Sequence, residues 1–166
     1  MHSGNFWVNH LALQPHPEGG WFRQTYVASE SIAHPHLPER YTGERAFSTA
    51  IYFLLAYPDF SAYHRLQSDE IWHFYTGHSL SIWMLSPQGH LSRVWLGPDP
   101  IQGQVFQVVV PAGYWLAANL DAPESYALVG CTMAPGFNFD DFEMAPREQL
   151  AQQFPQHRDI IERLTR

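Results

Sequence analysis

Glu70 opens a short strand-like run, Glu70-Ile-Trp-His-Phe-Tyr-Thr-Gly77, and His64 lies just upstream of it. Side chains alternate between the two faces of a strand, so Trp72 and Phe74 share the face of Glu70. A carboxyl group held between aromatic rings has its ionised form disfavoured, which raises its pKa towards values useful to a general acid or base. We therefore predict catalytic roles for Glu70 and His64, with Trp72 and Phe74 as ligand contacts.

Other side chains of these strands have a structural and a chemical interpretation. Glu70 could simply pair with Arg65 or Arg23. His73 lies on the opposite face and is counted among the ligand-binding candidates, although a hydrogen bond to a neighbouring strand is the favoured role. Tyr52 is a candidate catalytic acid because it could present its hydroxyl to the same cavity, yet a tyrosine in a strand more often serves packing.

A second candidate set lies near the N-terminus, in Pro15-His-Pro-Glu-Gly-Gly20. The two glycines tolerate positive φ, so the backbone could turn sharply there and approach a ligand closely. We predict ligand-binding roles for Glu18 and Arg23, since the planar guanidinium would suit a carboxylate or a phosphate. A plain turn followed by an edge strand explains the same residues equally well. His16 is expected to be a solvated or capping group.

The elements that must position these residues are mainly strands. Runs rich in aromatic and β-branched residues, bounded by Gly, Pro, Asp or Ser, recur at 21–27, 47–55, 61–66, 70–75, 80–85, 91–96, 104–110, 115–119 and 126–133. Short helices are predicted at 5–13, 147–154 and 158–164, and a loop at 29–43. Because no helix of crossover length separates the strands, the pattern predicts an all-β barrel or sandwich in one domain, 1–166.

Composition limits the partners of the protein. Nine Lys plus Arg stand against sixteen Asp plus Glu, and no basic stripe is visible, so nucleic acid and anionic membrane surfaces are excluded as expected partners. No apolar run approaches the roughly 18 residues of a membrane span. The one cysteine, Cys131, permits no intrachain disulfide, and a cytoplasmic location is expected.

The spacing of the strand residues resembles the motifs of the cupins, whose double-stranded β-helix is a jelly-roll barrel. Glu70 and Gly77 have the six intervening residues of the first cupin motif. Pro111-Ala-Gly113, with Asn119 nearby, matches the frame of the second motif. This resemblance implies an all-β cupin barrel with short N- and C-terminal helices.

The expected metal ligands of those motifs are largely replaced. Ala62 and Leu116 stand at two of the histidine positions, and His64 lies one residue further from Glu70 than the motif allows. A bulge, or a longer turn before Glu70, would be needed to direct His64 inward. Since a catalytic metal normally needs three protein ligands, we expect no metal and no cofactor, and a metal-dependent enzyme is the weaker alternative.

The chain as a whole resembles one cupin branch, the DUF985 or cupin-5 family of uncharacterised proteins. The stretches that carry the resemblance are Leu13-Gln-Pro-His-Pro-Glu-Gly-Gly-Trp-Phe-Arg-Gln-Thr-Tyr26, Ser48-Thr-Ala-Ile-Tyr-Phe-Leu-Leu55, His64-Arg-Leu-Gln-Ser-Asp-Glu-Ile-Trp-His-Phe-Tyr75, Val110-Pro-Ala-Gly-Tyr-Trp115 and Ala134-Pro-Gly-Phe-Asn-Phe-Asp-Asp-Phe142. The resemblance implies a homodimer with an architecture similar to the dTDP-sugar 3,5-epimerases and a pocket for a small molecule.

Two classes of function follow from these features. The first is a metal-independent isomerase or epimerase acting on a sugar-like or other small polar substrate, with His64 as base, Glu70 sharing the proton and a tyrosine as acid. The second is a non-catalytic module that binds or senses a small ligand in an aromatic pocket.

Overall fold

Antiparallel strands form the body of the protein in the computed structural model, which describes residues 2–166. Within these residues, strands β1 to β13 are Gln14–Pro15, Trp21–Val27, Ser31–Ile32, Arg45–Ala46, Thr49–Ala56, Phe60–Arg65, Glu70–Gly77, Leu80–Leu85, Leu91–Leu96, Gln107–Val110, Trp115–Leu120, Tyr126–Met133 and Glu143–Met144. Helices α1 to α3 are Gly4–His10, Arg147–Gln153 and Arg158–Arg163.

Two large sheets pack face to face. One has the strand order β1-β2-β5-β12-β7-β10 and the other β13-β6-β11-β8-β9, while β3 and β4 form a separate pair. Strands distant in sequence are neighbours in both sheets, as in a jelly roll. The prediction of an all-β jelly-roll barrel with short terminal helices is confirmed.

The space between the two sheets holds the main hydrophobic core. Phe53 and Trp72 from the first sheet pack there against Ile82 and Leu116 from the second. The central strand β12 is buried on both faces, which explains its nearly unbroken apolar sequence.

Helices cover the outer faces of the two sheets. Leu150 of α2 and Ile161 of α3 pack against Tyr63 and Trp115 on the five-stranded sheet. Helix α1, capped by the Ser3 hydroxyl, packs beside the six-stranded sheet. Among residues 2–166, no helix combines the length and apolar character needed to cross a membrane.

Differences from the predicted elements concern the ends of elements, one loop, and the two-residue strands β1 and β13, which were not predicted. The first helix ends at His10 instead of residue 13, and the chain then reverses at Ala12, which has a φ of 50°. The predicted loop at 29–43 contains β3 and a short 3-10 turn at His34–His36. These elements are too short to produce a periodic sequence pattern.

Candidate functional site

A cavity of about 460 Å³ lies at one end of the barrel and is lined by side chains from both sheets. Its volume falls within the range of about 300–1,000 Å³ that is usual for small-molecule sites. The apolar wall consists of Phe22, Ile51, Phe53, Leu66, Trp72, Cys131, Met133, Phe137, Phe139 and Phe142. The polar lining consists of Gln14, His16, Glu18, Gln24, Thr49, His64, Glu70 and Asn138.

Glu18 enters the cavity from the tight turn that precedes β2. Gly19 and Gly20 adopt φ values of 112° and 70°, and a Cβ at Gly19 would collide with the carbonyl oxygen of Phe60. The Glu18 backbone carbonyl accepts a hydrogen bond from the Ala62 N–H at 2.8 Å, which joins the turn to β6. The carboxyl is thereby directed inward, where the Ser61 hydroxyl donates to its Oε1 at 2.7 Å.

His64 reaches the same carboxyl because of a register shift in β6. Its pairing with β11 matches Leu116 to His64 but Ala118 to Ser61, so β6 holds one extra residue between the two. Ser61 and His64 consequently both contact Glu18, although they are three residues apart. This bulge precedes His64, so it leaves the spacing between His64 and Glu70 unchanged, and residues 66–69 connect β6 to β7.

The hydrogen bonds of His64 define its tautomer. Nδ1 lies 2.8 Å from the carbonyl oxygen of Ala62, which can only accept, so Nδ1 carries a proton. In the neutral ring, Nε2 then has a lone pair, and it lies 3.3 Å from Glu18 Oε2. The Nε2 lone pair thus faces Oε2 and can accept a proton held there.

Burial determines where that proton lies. It raises the pKa of Glu18 to about 8, outweighing the Ser61 hydrogen bond, and it lowers the pKa of His64. The pair is therefore a carboxylic acid beside a neutral imidazole at neutral pH. His16, whose Nδ1 lies 3.3 Å from Glu18 Oε2, has its pKa lowered to about 4 by burial and by the charge of His64.

Glu70 provides a second carboxyl group, on β7 of the six-stranded sheet. The Trp72 indole N–H donates to its Oε2 at 2.7 Å, and Cys131 lines the same cavity. Burial raises the pKa of Glu70 to about 7, with Glu18 acting in the same direction and His64 in the opposite one. Near neutral pH, Glu70 is divided between its acid and its carboxylate forms, whereas Glu18 is mainly an acid.

The segment 137–142 closes one side of the cavity with aromatic rings. A buried ion pair anchors it, since Arg45 donates to both oxygens of Asp141 at 2.7 Å. The Phe137 N–H also donates to Thr49 Oγ1 at 2.8 Å. The Phe142 ring consequently lies 5.4 Å from the His64 ring, between centroids.

The predicted site residues fall into two groups. His64, Glu70, Glu18 and Trp72 line the cavity together. Phe74 faces the barrel interior, as alternation predicts, but packs on the main core and does not line the cavity. Their common enclosure supports roles for the first four, while Phe74 contributes to packing.

Tyr52, His73 and Arg23 lie on the outer face of the six-stranded sheet and outside the cavity. Tyr52 packs edge-on against Tyr75, and Arg23, opposite it across the β2–β5 pair, donates to the carbonyl oxygen of Leu11 at 3.0 Å. His73 lies 3.1 Å from Thr132 Oγ1 on the neighbouring strand, which is the structural role favoured for it. These three side chains lie outside the site because they point to the outer face of their strands, whereas their neighbours in sequence point inward.

Several cavity residues were not predicted. His16 was expected to be solvated, but its side chain is only 7% exposed and contacts Glu18. Its position between two prolines was a signal for a fixed turn that could have indicated burial. Ser61, which binds Glu18 without lining the cavity, and the lining residue Cys131 carry no distinguishing sequence pattern. The aromatic segment 137–142 lies far along the chain from Glu18 and Glu70.

The residues at this site do not match the metal centre of typical cupins. Ala62 and Leu116 offer no ligand atoms, Ala62 binds Glu18 and His64 through its backbone, and Leu116 belongs to the hydrophobic core. Throughout residues 2–166, no group of three or more His, Cys, Asp or Glu side chains is arranged to hold a metal ion. Of the two positions without ligand atoms, Ala62 thus holds Glu18 and His64 through its backbone.

Comparisons with known proteins agree with this architecture. The family model described as "Cupin superfamily (DUF985)" matches residues 5–145. The crystal structure of a protein from Shewanella oneidensis is 36% identical, with 100% of this chain and 99% of that chain covered and a TM-score of 0.90. A hypothetical protein from Leishmania major is 29% identical, with 99% of each chain covered and a TM-score of 0.89.

More distant similarity concerns the fold alone. Oxalate decarboxylase from Bacillus subtilis is 15% identical, with a TM-score of 0.55, and the match covers 90% of this chain but 36% of the decarboxylase. No curated protein matches the sequence.

Proposed function

The chain belongs to the DUF985 family of the cupin superfamily, and we propose that it moves protons within a small polar carbonyl compound, as an isomerase or epimerase. The observation that carries the proposal is the contact of 3.3 Å between Glu18 Oε2 and His64 Nε2, in a cavity that also exposes Glu70. An acid and a base of similar strength facing one cavity are what proton transfer near neutral pH requires.

The roles follow from the protonation states. Glu70 as a carboxylate takes the proton from the carbon next to the carbonyl group. Glu18 donates its proton to the carbonyl oxygen, which gives an enol, and the Ser61 O–H stabilises the carboxylate that remains. His64 and Glu18 act as one acid, since either can hold the proton. Return of both protons restores the protein, and the carbon and face that receive the proton decide between isomerisation and epimerisation.

Solvent deuterium exchange tests this proposal. Protein in heavy water is incubated with a panel of neutral and phosphorylated hydroxycarbonyl compounds, and deuterium at the carbon next to the carbonyl is followed by NMR. We expect exchange with at least one compound. Glu70→Gln, which retains the size and the Trp72 hydrogen bond, should slow it by about 10²- to 10⁴-fold, the usual contribution of a general base.

Tyr52→Phe is the matched control, because Tyr52 lies outside the cavity and its loss should leave exchange unchanged. Circular dichroism of both variants excludes unfolding as the cause of any loss. Exchange that is equally fast in Glu70→Gln and wild type would contradict the roles assigned here. A compound that binds without exchange would favour the alternative, a ligand-binding module whose six aromatic cavity residues supply the contact surface.

A further inference from the structure

Among residues 2–166, no side chain that lines the cavity carries a fixed positive charge. Of the side chains between residues 2 and 166 that line it, the ionisable oxygen and nitrogen groups are His16, Glu18, His64 and Glu70, and none is Lys or Arg. Phosphate and carboxylate ligands are usually held by Arg or Lys. An anionic ligand would therefore meet two carboxyl groups and no compensating cation.

The arginines that neighbour the cavity in sequence are directed elsewhere. Arg23, on β2 between the cavity residues Phe22 and Gln24, donates to Leu11 on the outer surface. Arg45 is buried and donates to both oxygens of Asp141 and to the Glu44 carbonyl oxygen. Arg65, between the cavity residues His64 and Leu66, donates to Glu143. None of the three can approach a ligand without breaking these contacts.

The two histidines do not replace the missing cations. The Nδ1 of His64 is committed to the Ala62 carbonyl, and its Nε2 faces Glu18. Burial lowers the pKa of both His64 and His16, so both rings are neutral at neutral pH. Bringing an anion into this enclosed space would cost its hydration and add repulsion from the Glu70 carboxylate.

The neutral polar groups and the rings suit a different ligand. Three amide side chains line the cavity: Gln14 and Gln24, which are exposed, and Asn138, which is half-buried. An amide can both donate and accept hydrogen bonds. The side-chain oxygen of Asn138 already accepts a hydrogen bond from the Asp140 N–H, and this bond fixes the orientation of the Asn138 NH₂ group. Amides hydrogen-bond hydroxyl groups without requiring charge, and the aromatic wall can cover the apolar faces of a ring compound.

We infer that the ligand is an uncharged polyhydroxylated carbonyl compound, such as a free sugar, and not a phosphorylated or nucleotide-linked sugar. This inference deepens the proposed function and rests on it for the carbonyl group. The charge preference itself depends only on the lining of the cavity.

Calorimetric binding measurements with matched probes test the preference. The probes are neutral hexoses and pentoses, the corresponding sugar phosphates and the 2-amino hexoses, at constant ionic strength and neutral pH. We expect at least one neutral sugar to bind at least about tenfold more tightly than its phosphate, which corresponds to about 1.4 kcal/mol. Tighter binding of the phosphates or of the amino sugars, or no binding by any neutral member, overturns the inference.

A gain-of-function variant provides the second arm. Gln24→Lys introduces a cation at an exposed position of the cavity lining, where a lysine can be accommodated. It should strengthen binding of the sugar phosphate several-fold and weaken binding of the neutral sugar, which loses the Gln24 amide. Thr25→Lys, on the same strand but absent from the lining, is the control and should alter neither. Equal effects of the two lysines would contradict the charge argument.

The two proposals fail in different ways. A neutral sugar that binds but shows no deuterium exchange contradicts proton transfer and leaves the ligand class intact. Exchange confined to phosphorylated compounds contradicts the ligand class and leaves proton transfer intact.

Discussion

Replacing Glu18 by Gln should change how the stability of the protein depends on pH. Gln has the size of Glu, and its carbonyl oxygen can still accept the Ser61 hydrogen bond, but it cannot titrate. Burial raises the pKa of Glu18 from 4.5 in the unfolded chain to about 8 in the folded one. Between these values the folded state binds more protons than the unfolded state, so the free energy of unfolding falls as pH rises.

In the interval from pH 6.5 to pH 8 the carboxyl groups dominate the pH dependence. His16 and His64 have lowered pKa values, so they are neutral in the folded state, while in the unfolded state they lose their remaining protons, which opposes the decline by less than about 1 kcal/mol. The pKa of Cys131 is raised above 9.0, so its thiol remains protonated. Glu18 acts over about 1.5 pH units of this interval and Glu70, with a pKa of about 7, over about 0.5. At about 1.4 kcal/mol per unit, and with the histidines opposing the decline, wild type should lose about 2 kcal/mol and Glu18→Gln almost none.

Urea denaturation at intervals from pH 6.5 to pH 8 measures this difference. Glu162→Gln is the control, since Glu162 forms an exposed ion pair with Arg158 and its loss should not alter the pH dependence. Equal declines in wild type and Glu18→Gln, or a stability that rises with pH in wild type, would refute a protonated Glu18. Below pH 6.5 the histidines act in the opposite sense, so that range is not used.

Three further predictions concern the surroundings of the cavity. Asp141→Asn leaves the buried charge of Arg45 unpaired and should destabilise the fold by about 3–5 kcal/mol by urea denaturation, whereas Arg45→Met combined with Asp141→Leu should recover most of the loss. Trp72→Phe removes the indole N–H that stabilises ionised Glu70, so the pKa of Glu70 should rise above that in wild type, as measured by carboxyl ¹³C NMR; a lower pKa would contradict that role. The expected homodimer should sediment at twice the chain mass at micromolar concentration, since Tyr26, Tyr75 and Val109 leave apolar surface exposed on the six-stranded sheet; a monomer would contradict it.

Much of the fold could be predicted from local sequence. Strands such as β8 and β9 have an aromatic and β-branched composition and clear turn residues at both ends, so their bounds were predicted without error. Alternation from Glu70 correctly directed Trp72 and Phe74 inward. It could not show where the cavity ends, because Phe74 lies deeper in the barrel among core residues.

Alternation was less informative where both faces of a strand are covered. The run Ala50-Ile-Tyr-Phe-Leu-Leu55 is apolar throughout because β5 lies within the sheet, with core on one side and α1 near the other. Nothing in such a run distinguishes the face of Phe53 from that of Tyr52. We therefore predicted that Tyr52 lines the cavity, whereas it lies on the outer face and packs against Tyr75.

By itself, the sequence determined the barrel, the inward direction of Glu70 and the loss of two metal ligands at Ala62 and Leu116, because these depend on residue type and short spacing. Tertiary structure decided that Glu18, His64 and Glu70 face one cavity. Their meeting depends on a turn 43 residues from Ser61, on a bulge in β6 and on an ion pair between residues 96 apart. Contacts at such separations are set by the packing of the two sheets, and no local pattern encodes them.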